Sequence, residues 1–279
     1  MLSFEFDYYH PTSIEEAVQL FHTLDEERKY PLYYSGGTEI ITLGRLNLVY
    51  TNAVIDIKGI PECNVMESHG DSFVTGAALS LTAIEEHNGF PLLSKAASGV
   101  ADHTARNKIT IGGNICGQIF YREAVLPYLL TDSKIVAAGM DGNRTVALMN
   151  VFNKTLSLKR GEFLVQLQTD KHYLDLPYHC VKKRQQWDTG YPLVTIAAIK
   201  AEEGIRVAFS GVCPFPFRSR EMEKALNANG ASLQDRILAS LKHLPTPVLD
   251  DIEGSSQYRL FVLKNTLFDI LEELEGDNR

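Results

Sequence analysis

Ile14, Ala17, Val18, Phe21 and Leu24 recur at the three- and four-residue spacing of one helix face, with Ser13 placed to cap the first turn. Tyr30-Pro31-Leu32-Tyr33-Tyr34 then reads as a short strand, and Ile40-Ile41-Thr42-Leu43 as the opening of a helix behind it. Val54-Ile55-Asp56-Ile57 is a strand stopped by Gly59 and Pro61. Together these elements predict a small α/β unit over residues 1–60.

A second unit is predicted over 61–169. Cys63–Glu67 and Ser72–Ala77 are candidate strands joined by a polar turn, and the spacing of Thr82 to Glu85 fits a capping box at the start of a helix. Leu92–Val100 suggests a further helix. Strand patterns return at Lys134–Gly139, Arg144–Leu148 and Phe163–Leu167. From 170 to 279 the strands Tyr178–Lys182 and Leu193–Ile199 precede a turn at Gly204 and Ile205–Ser210, as in a hairpin. Helical patterns occupy Glu221–Leu226, Leu233–Leu241 and Tyr258–Leu274, and the acidic stretch Leu271–Asp277 is expected to fray into solvent. There is no repeat and no low-complexity linker.

Two glycine pairs interrupt this pattern. Ser35-Gly36-Gly37-Thr38-Glu39 follows the first predicted strand, and Arg106-Asn107-Lys108-Ile109-Thr110-Ile111-Gly112-Gly113-Asn114 follows the helical pattern Leu92–Val100. Paired glycines allow a positive φ and close approach of the backbone to another molecule, and the N–H groups of such a turn form a nest for anions. Two such loops are able to hold a pyrophosphate, with N–H groups near Gly36, Gly37, Thr38, Gly112 and Gly113 as the main contacts. Either pair alone is equally an ordinary turn. The spacing is neither the G-x-G-x-x-G of a dinucleotide-binding βαβ unit nor a P-loop.

The remaining chemistry is mostly exclusion. With 27 basic and 35 acidic residues the net charge is −8, and no basic block offers the footprint that a nucleic-acid backbone requires. Met1–Asp7 has no basic or apolar leader pattern and no run is apolar enough to span a bilayer, so the expectation is a soluble, cytoplasmic protein. Cys63, Cys116, Cys180 and Cys213 show no CxxC or cluster spacing and read as free buried thiols; no metal ligand set is assigned. His103 reads as structural or solvent-facing, and Trp187 as a half-buried anchor between domains. The acid pairs Glu15-Glu16, Glu26-Glu27 and Glu272-Glu273 read as solvated helix surface.

The two loops resemble those of the flavin-binding subunits of molybdenum hydroxylases, which read approximately A-G-G-T-D and R-N-x-A-T-I-G-G-N. The resemblance extends to Phe4, Tyr8 and Pro11, to Asp56-Ile57 with Gly59-Ile60-Pro61-Glu62, to Gly76-Ala77-Ala78, to Pro91-Leu92-Leu93, and to Pro216-Phe217-Arg218 and Tyr258-Arg259, covering almost the whole chain. It implies an α+β architecture, the PCMH-type FAD-binding fold of two α/β subdomains followed by a C-terminal sheet-and-helix domain. It also implies FAD, with Ser35, Gly36, Gly37, Thr38, Glu39, Arg106, Asn107, Thr110, Gly112, Gly113 and Asn114 as cofactor-binding positions. Molybdopterin and [2Fe-2S] clusters are expected on separate large and small subunits, and NAD+ or another compound as electron acceptor. No residue of this chain is assigned to catalysis.

The sequence departs from that pattern twice. Where the family often has Ser-Pro-x-x-Asp after Gly-Gly-Asn, this chain has Cys116–Glu123, with Glu123 the nearest stand-in for the acid and Tyr121 and Arg122 beside it. Where the family often has a lysine near the flavin, this chain has Cys180, and Lys182 is the displaced substitute. Two other functions remain open on the sequence: a self-contained FAD-dependent oxidase or reductase, and a non-catalytic scaffold with degenerate loops.

Overall fold

The computed structural model describes residues 4–185 and 190–276. Among the described residues three larger sheets follow one another along the chain, with a two-stranded pair, Phe152–Asn153 and Thr155–Leu156, beside them. The first is wholly parallel, in the order Asp7–Tyr9, Ala53–Asp56, Leu32–Tyr34. Helix Ile14–Glu26 lies behind it, begun as expected by Ser13, whose side chain accepts from the Glu16 N–H. Its buried face, Ile14, Ala17, Val18 and Leu24, joins Ile55 to Ala138, Phe163 and Val165 of the next sheet in one core.

The second sheet is antiparallel, ordered Met66–His69, Ser72–Gly76, Phe163–Asp170, Lys134–Gly139, Gly142–Ala147. The third is an antiparallel meander of Tyr178–Arg184, Pro192–Ala201, Gly204–Cys213 and Phe215–Arg218. Helices Leu81–His87, Pro91–Ser98 and Leu126–Leu130 share a core with Ala197, Ile199 and Ala208 on one face of this third sheet. Arg220–Leu226, Leu233–Leu241 and Ser256–Gly276 cover its other face, against Val194, Ile196 and Ala198. With both faces covered, the inner strand Pro192–Ala201 is buried on both sides over Leu193–Ile199. Leu193–Ile199 is for that reason mainly apolar and does not alternate.

Several expectations are corrected. Thr82 is not a cap: Ser80 caps the Leu81–His87 helix by accepting from the Ala83 N–H. The strand expected from Cys63 begins only at Met66, because Pro61–Asn64 forms a single 3-10 turn. The acidic end does not fray from Leu271. The last helix runs to Gly276 because Leu271 and Leu274 are buried beneath the third sheet, whereas Glu272 and Glu273 face solvent. Asp277 and Trp187 lie outside the described residues. The cysteines are free, but Cys116 is exposed and Cys180 half-buried, so only Cys63 and Cys213 are buried throughout. No helix among the described residues is long and apolar enough to cross a membrane.

Buried arginines join the parts. Arg218 and Arg206 donate to the carbonyls of Leu129 and Leu130 at 2.7 Å and to the Asp132 carboxylate, so cations close the C-terminal end of helix Leu126–Leu130. Arg259, fully buried, donates to the carbonyls of Leu193 and Gly211, each at 2.7 Å, and to Asp251. Arg259→Met should leave those acceptors unpaired and destabilise the chain by about 3–5 kcal/mol, read as a lower urea midpoint. A loss below about 1 kcal/mol would contradict this role for the arginine.

Candidate functional site

The site begins at the carboxyl end of the parallel sheet, where ligands of open α/β sheets commonly bind. Strand Leu32–Tyr34 runs into Ser35, Gly36 and Gly37, and helix Thr38–Arg45 follows at once. Gly37 is the N-cap, left-handed at φ 72°, and no side chain caps the helix. Ile41 makes the first intrahelical bond, to the Gly37 carbonyl at 2.9 Å. The N–H groups of Thr38, Glu39 and Ile40 precede that bond and form an open helix start of the kind that attracts anions. The buried Ser35 Oγ beside them has no hydrogen-bond partner among the described residues.

The second loop lies directly against the first. A Cβ on Gly36 would overlap the Lys108 carbonyl oxygen and come within 3.1 Å of the Thr110 nitrogen. Leu81 N–H donates to the Ile109 carbonyl and Ile111 N–H to the Leu79 carbonyl, both at 2.9 Å, fixing the loop to the chain leaving the second sheet. Thr110, 3% exposed, caps the short helix Ile111–Cys116 by accepting from the Gly113 N–H at 3.2 Å. Gly112 N–H donates to the Ala77 carbonyl at 2.8 Å. The N–H groups of Gly112 and Gly113 are therefore engaged within the protein, against the expectation that they face an anion. What Gly112 permits is close packing: a Cβ there would lie 2.7 Å from the Ala77 carbonyl oxygen.

Side chains brace the two loops. The Glu39 carboxylate accepts from the N–H groups of Gln118 and Ile119 at 2.7 and 2.9 Å, tying the first helix to the exit of the second loop. Asn114 Oδ1 accepts from the Ala124 N–H at 3.3 Å, and the adjoining Glu123, 2% exposed, pairs with Lys182 at 2.5 Å. Lys182 Nζ also donates to the Gly99 carbonyl at 2.8 Å. The two residues proposed as substitutes in separate motifs thus meet as one buried ion pair across the second and third sheets' territories. Cys180 and Lys182 are two residues apart on one strand and share a face. Burial, with Glu123 adding to it, pushes the Cys180 thiol up to about 12, so it is neutral at physiological pH.

Other sequence-identified residues point elsewhere. Arg106 Nε donates to Glu85 at 3.0 Å and its Nη1 to the Val100 and Ala101 carbonyls, so its guanidinium holds the approach to the loop. Asn107 is the exposed C-cap of His103–Arg106, and His103 is exposed. Arg122, 1% exposed, donates to the carbonyls of Gly117 and Lys154. Tyr121 is buried and stacks on Tyr191 with ring centroids 4.4 Å apart.

Sequence reasoning missed the group beneath the first loop. Tyr8 donates to the buried Asp56, and the hydrogen bond, with burial behind it, pushes the phenol up to about 12. Lys58 bridges Asp56 and the Ser35 carbonyl. The signal was available in the parallel pattern, because adjacent parallel strands place Asp56 opposite Tyr34, next to the loop.

Comparison with known proteins shows the family and the fold. The family described as FAD binding domain in molybdopterin dehydrogenase matches residues 4–169, and the chain belongs to it. Across its length the chain matches the FAD or medium subunits of molybdenum hydroxylases. It is 28% identical to a glyceraldehyde dehydrogenase medium chain from Sulfolobus acidocaldarius, covering 93% of this chain and 95% of that one. It is 25% identical to a nicotinate dehydrogenase FAD-subunit from Eubacterium barkeri, over 98% of both. In structure it is similar to carbon monoxide dehydrogenase from Hydrogenophaga pseudoflava, with a TM-score of 0.87 over 99% of each chain at 23% identity. The fold is the PCMH-type FAD-binding fold with its C-terminal sheet-and-helix domain.

Gly112→Val should overpack the contact with Ala77 at a cost of about 1–3 kcal/mol and displace the second loop from the first. The expected result is less flavin released per folded protein, with circular dichroism retained. Full occupancy in this variant would remove the loop from the cradle.

Proposed function

We propose that this chain carries FAD between its two glycine loops and relays electrons within a molybdenum hydroxylase-like complex. The open start of helix Thr38–Arg45, with the buried Ser35 Oγ beside it, carries the reading, because among the described residues no side chain caps the helix and none bonds to that hydroxyl. Residues fit the cofactor. Ser35, Gly36, Gly37 and Thr38 would meet the diphosphate, while Thr110, Gly112, Gly113 and Asn114 would form the wall against which the first loop is set. Glu39, Arg106 and Asn107 would hold that wall in place. Glu123 and Lys182, joined to it through Asn114, would border the flavin end. The corresponding division is 1–60 and 61–169 for the two FAD-binding subdomains and 170–279 for the C-terminal domain.

When bound, FAD supplies the ability to exchange electrons singly or in pairs; the protein orients it and tunes its surroundings. In the proposed complex a large molybdenum-binding subunit oxidises the substrate and a small iron–sulfur subunit delivers the electrons to this chain. NAD+ or another acceptor then receives them. The relatives' names span glyceraldehyde, nicotinate and carbon monoxide, which supports a shared relay serving different substrate-binding partners. Among the described residues no group of three or more His, Cys, Asp and Glu side chains is arranged to hold a metal.

Expressed alone, the chain should bind FAD and hydroxylate no small heterocycle or aldehyde. Co-expression with the genes for its small and large partners should give substrate-dependent bleaching of the flavin. Substrate hydroxylation by the isolated, metal-free chain would overturn the subunit reading and favour a self-contained flavoenzyme.

A further inference from the structure

We propose that Lys58 belongs to the cofactor cradle and supplies the fixed positive charge for the FAD diphosphate at the first glycine loop; the inference rests on the FAD reading above. Lys58 stands in the 3-10 turn Ile57–Gly59, immediately after strand Ala53–Asp56. Its ammonium donates to the Ser35 carbonyl at 2.8 Å and to Asp56 Oδ2 at 2.6 Å, and lies over the Tyr34 ring, 4.8 Å from the centroid. It therefore grips the same residue whose buried Oγ has no partner among the described residues.

Asp56 sets the direction of this charge. Its side chain is 1% exposed and that of Lys58 42%, so the pair turns its negative end inward and its positive end toward solvent. Asp56 is further held by the Tyr8 hydroxyl and by the Lys58 N–H at 3.0 Å. An ammonium has three donors; two are used on Ser35 and Asp56, and the third is assigned to a phosphate oxygen. Other cations near the loops have different engagements. Arg106 is paired with Glu85, Lys182 with Glu123, and Arg122 is turned onto carbonyls. Among the described residues, Lys58 is the cation whose ammonium is bonded to the first loop, at the Ser35 carbonyl.

The test titrates FAD into the folded, flavin-free chain and follows quenching of flavin fluorescence, with riboflavin as a probe that lacks the diphosphate. Lys58→Met should weaken FAD by about 10- to 100-fold, the range for losing a hydrogen bond to a charged group, while leaving riboflavin affinity unchanged. Lys58→Arg, which keeps the charge, should recover most of the loss. Lys242→Met removes an exposed cation at the end of helix Leu233–Leu241, outside the cradle, and should change FAD affinity by no more than about twofold, the scale of screened surface charge. Should the Met variant fail to fold, Lys58→Gln and Lys58→Arg carry the same contrast. Equal FAD affinity in wild type and the neutral variant would overturn the proposal. So would equal losses for FAD and riboflavin, or an effect of Lys242→Met as large as that of Lys58→Met. A wild-type chain that binds no FAD would instead overturn the parent reading.

Discussion

The backbone of the first glycine loop lies against the backbone of the second, and the rest of the site depends on that approach. Gly36 has no room for a Cβ because the Lys108 carbonyl and the Thr110 nitrogen occupy the space. Gly112 has none because Ala77 lies on its other side. At Gly36 and Gly112 the two loops and the chain leaving the second sheet thereby meet backbone to backbone. Any substitution that adds volume at these positions separates layers, whatever it does to local φ and ψ.

The same approach divides labour between the loops. Donors of the second loop are used internally, on Ala77 and Thr110, and make it a rigid wall. Donors of the first loop stay open at a helix start that no side chain caps. Glu39 then locks the wall to the open end through the amides of Gln118 and Ile119. An acid at that position would otherwise compete with an anion for the helix start; committed to two backbone amides, it braces the site instead. Preorganisation of this kind lowers the ordering cost of binding.

Much of the fold was legible in the sequence because its signals are local. The helix at Ile14–Glu26 has both periodicity and a capping serine, and the hairpin around Gly204 has two apolar runs and a turn. Where local rules competed, tertiary contacts decided. The last helix continues to Gly276 because Leu271 and Leu274 are buried, although its acidic composition suggested a frayed end. Thr82 had a cap's spacing, but Ser80 took the position. For the site, the glycine pairs were visible, yet which loop keeps free donors was not. That depends on whether a carbonyl such as Ala77 lies opposite. Nor does sequence spacing show that Glu123 and Lys182 meet, or that Tyr8, Asp56 and Lys58 converge under Ser35, since each contact crosses separate strands or units.

The central claim is that one loop contacts the cofactor's diphosphate through open amides while the other supports it. Amide hydrogen exchange, measured residue by residue with and without FAD, addresses that claim directly. The account predicts that Gly112 and Gly113 are protected in both states, because their N–H groups are already bonded within the protein. Thr38, Glu39 and Ile40 should exchange quickly without FAD and slow markedly when it binds. Unchanged exchange at Thr38–Ile40, with new protection appearing at Gly112 and Gly113 instead, would contradict the account.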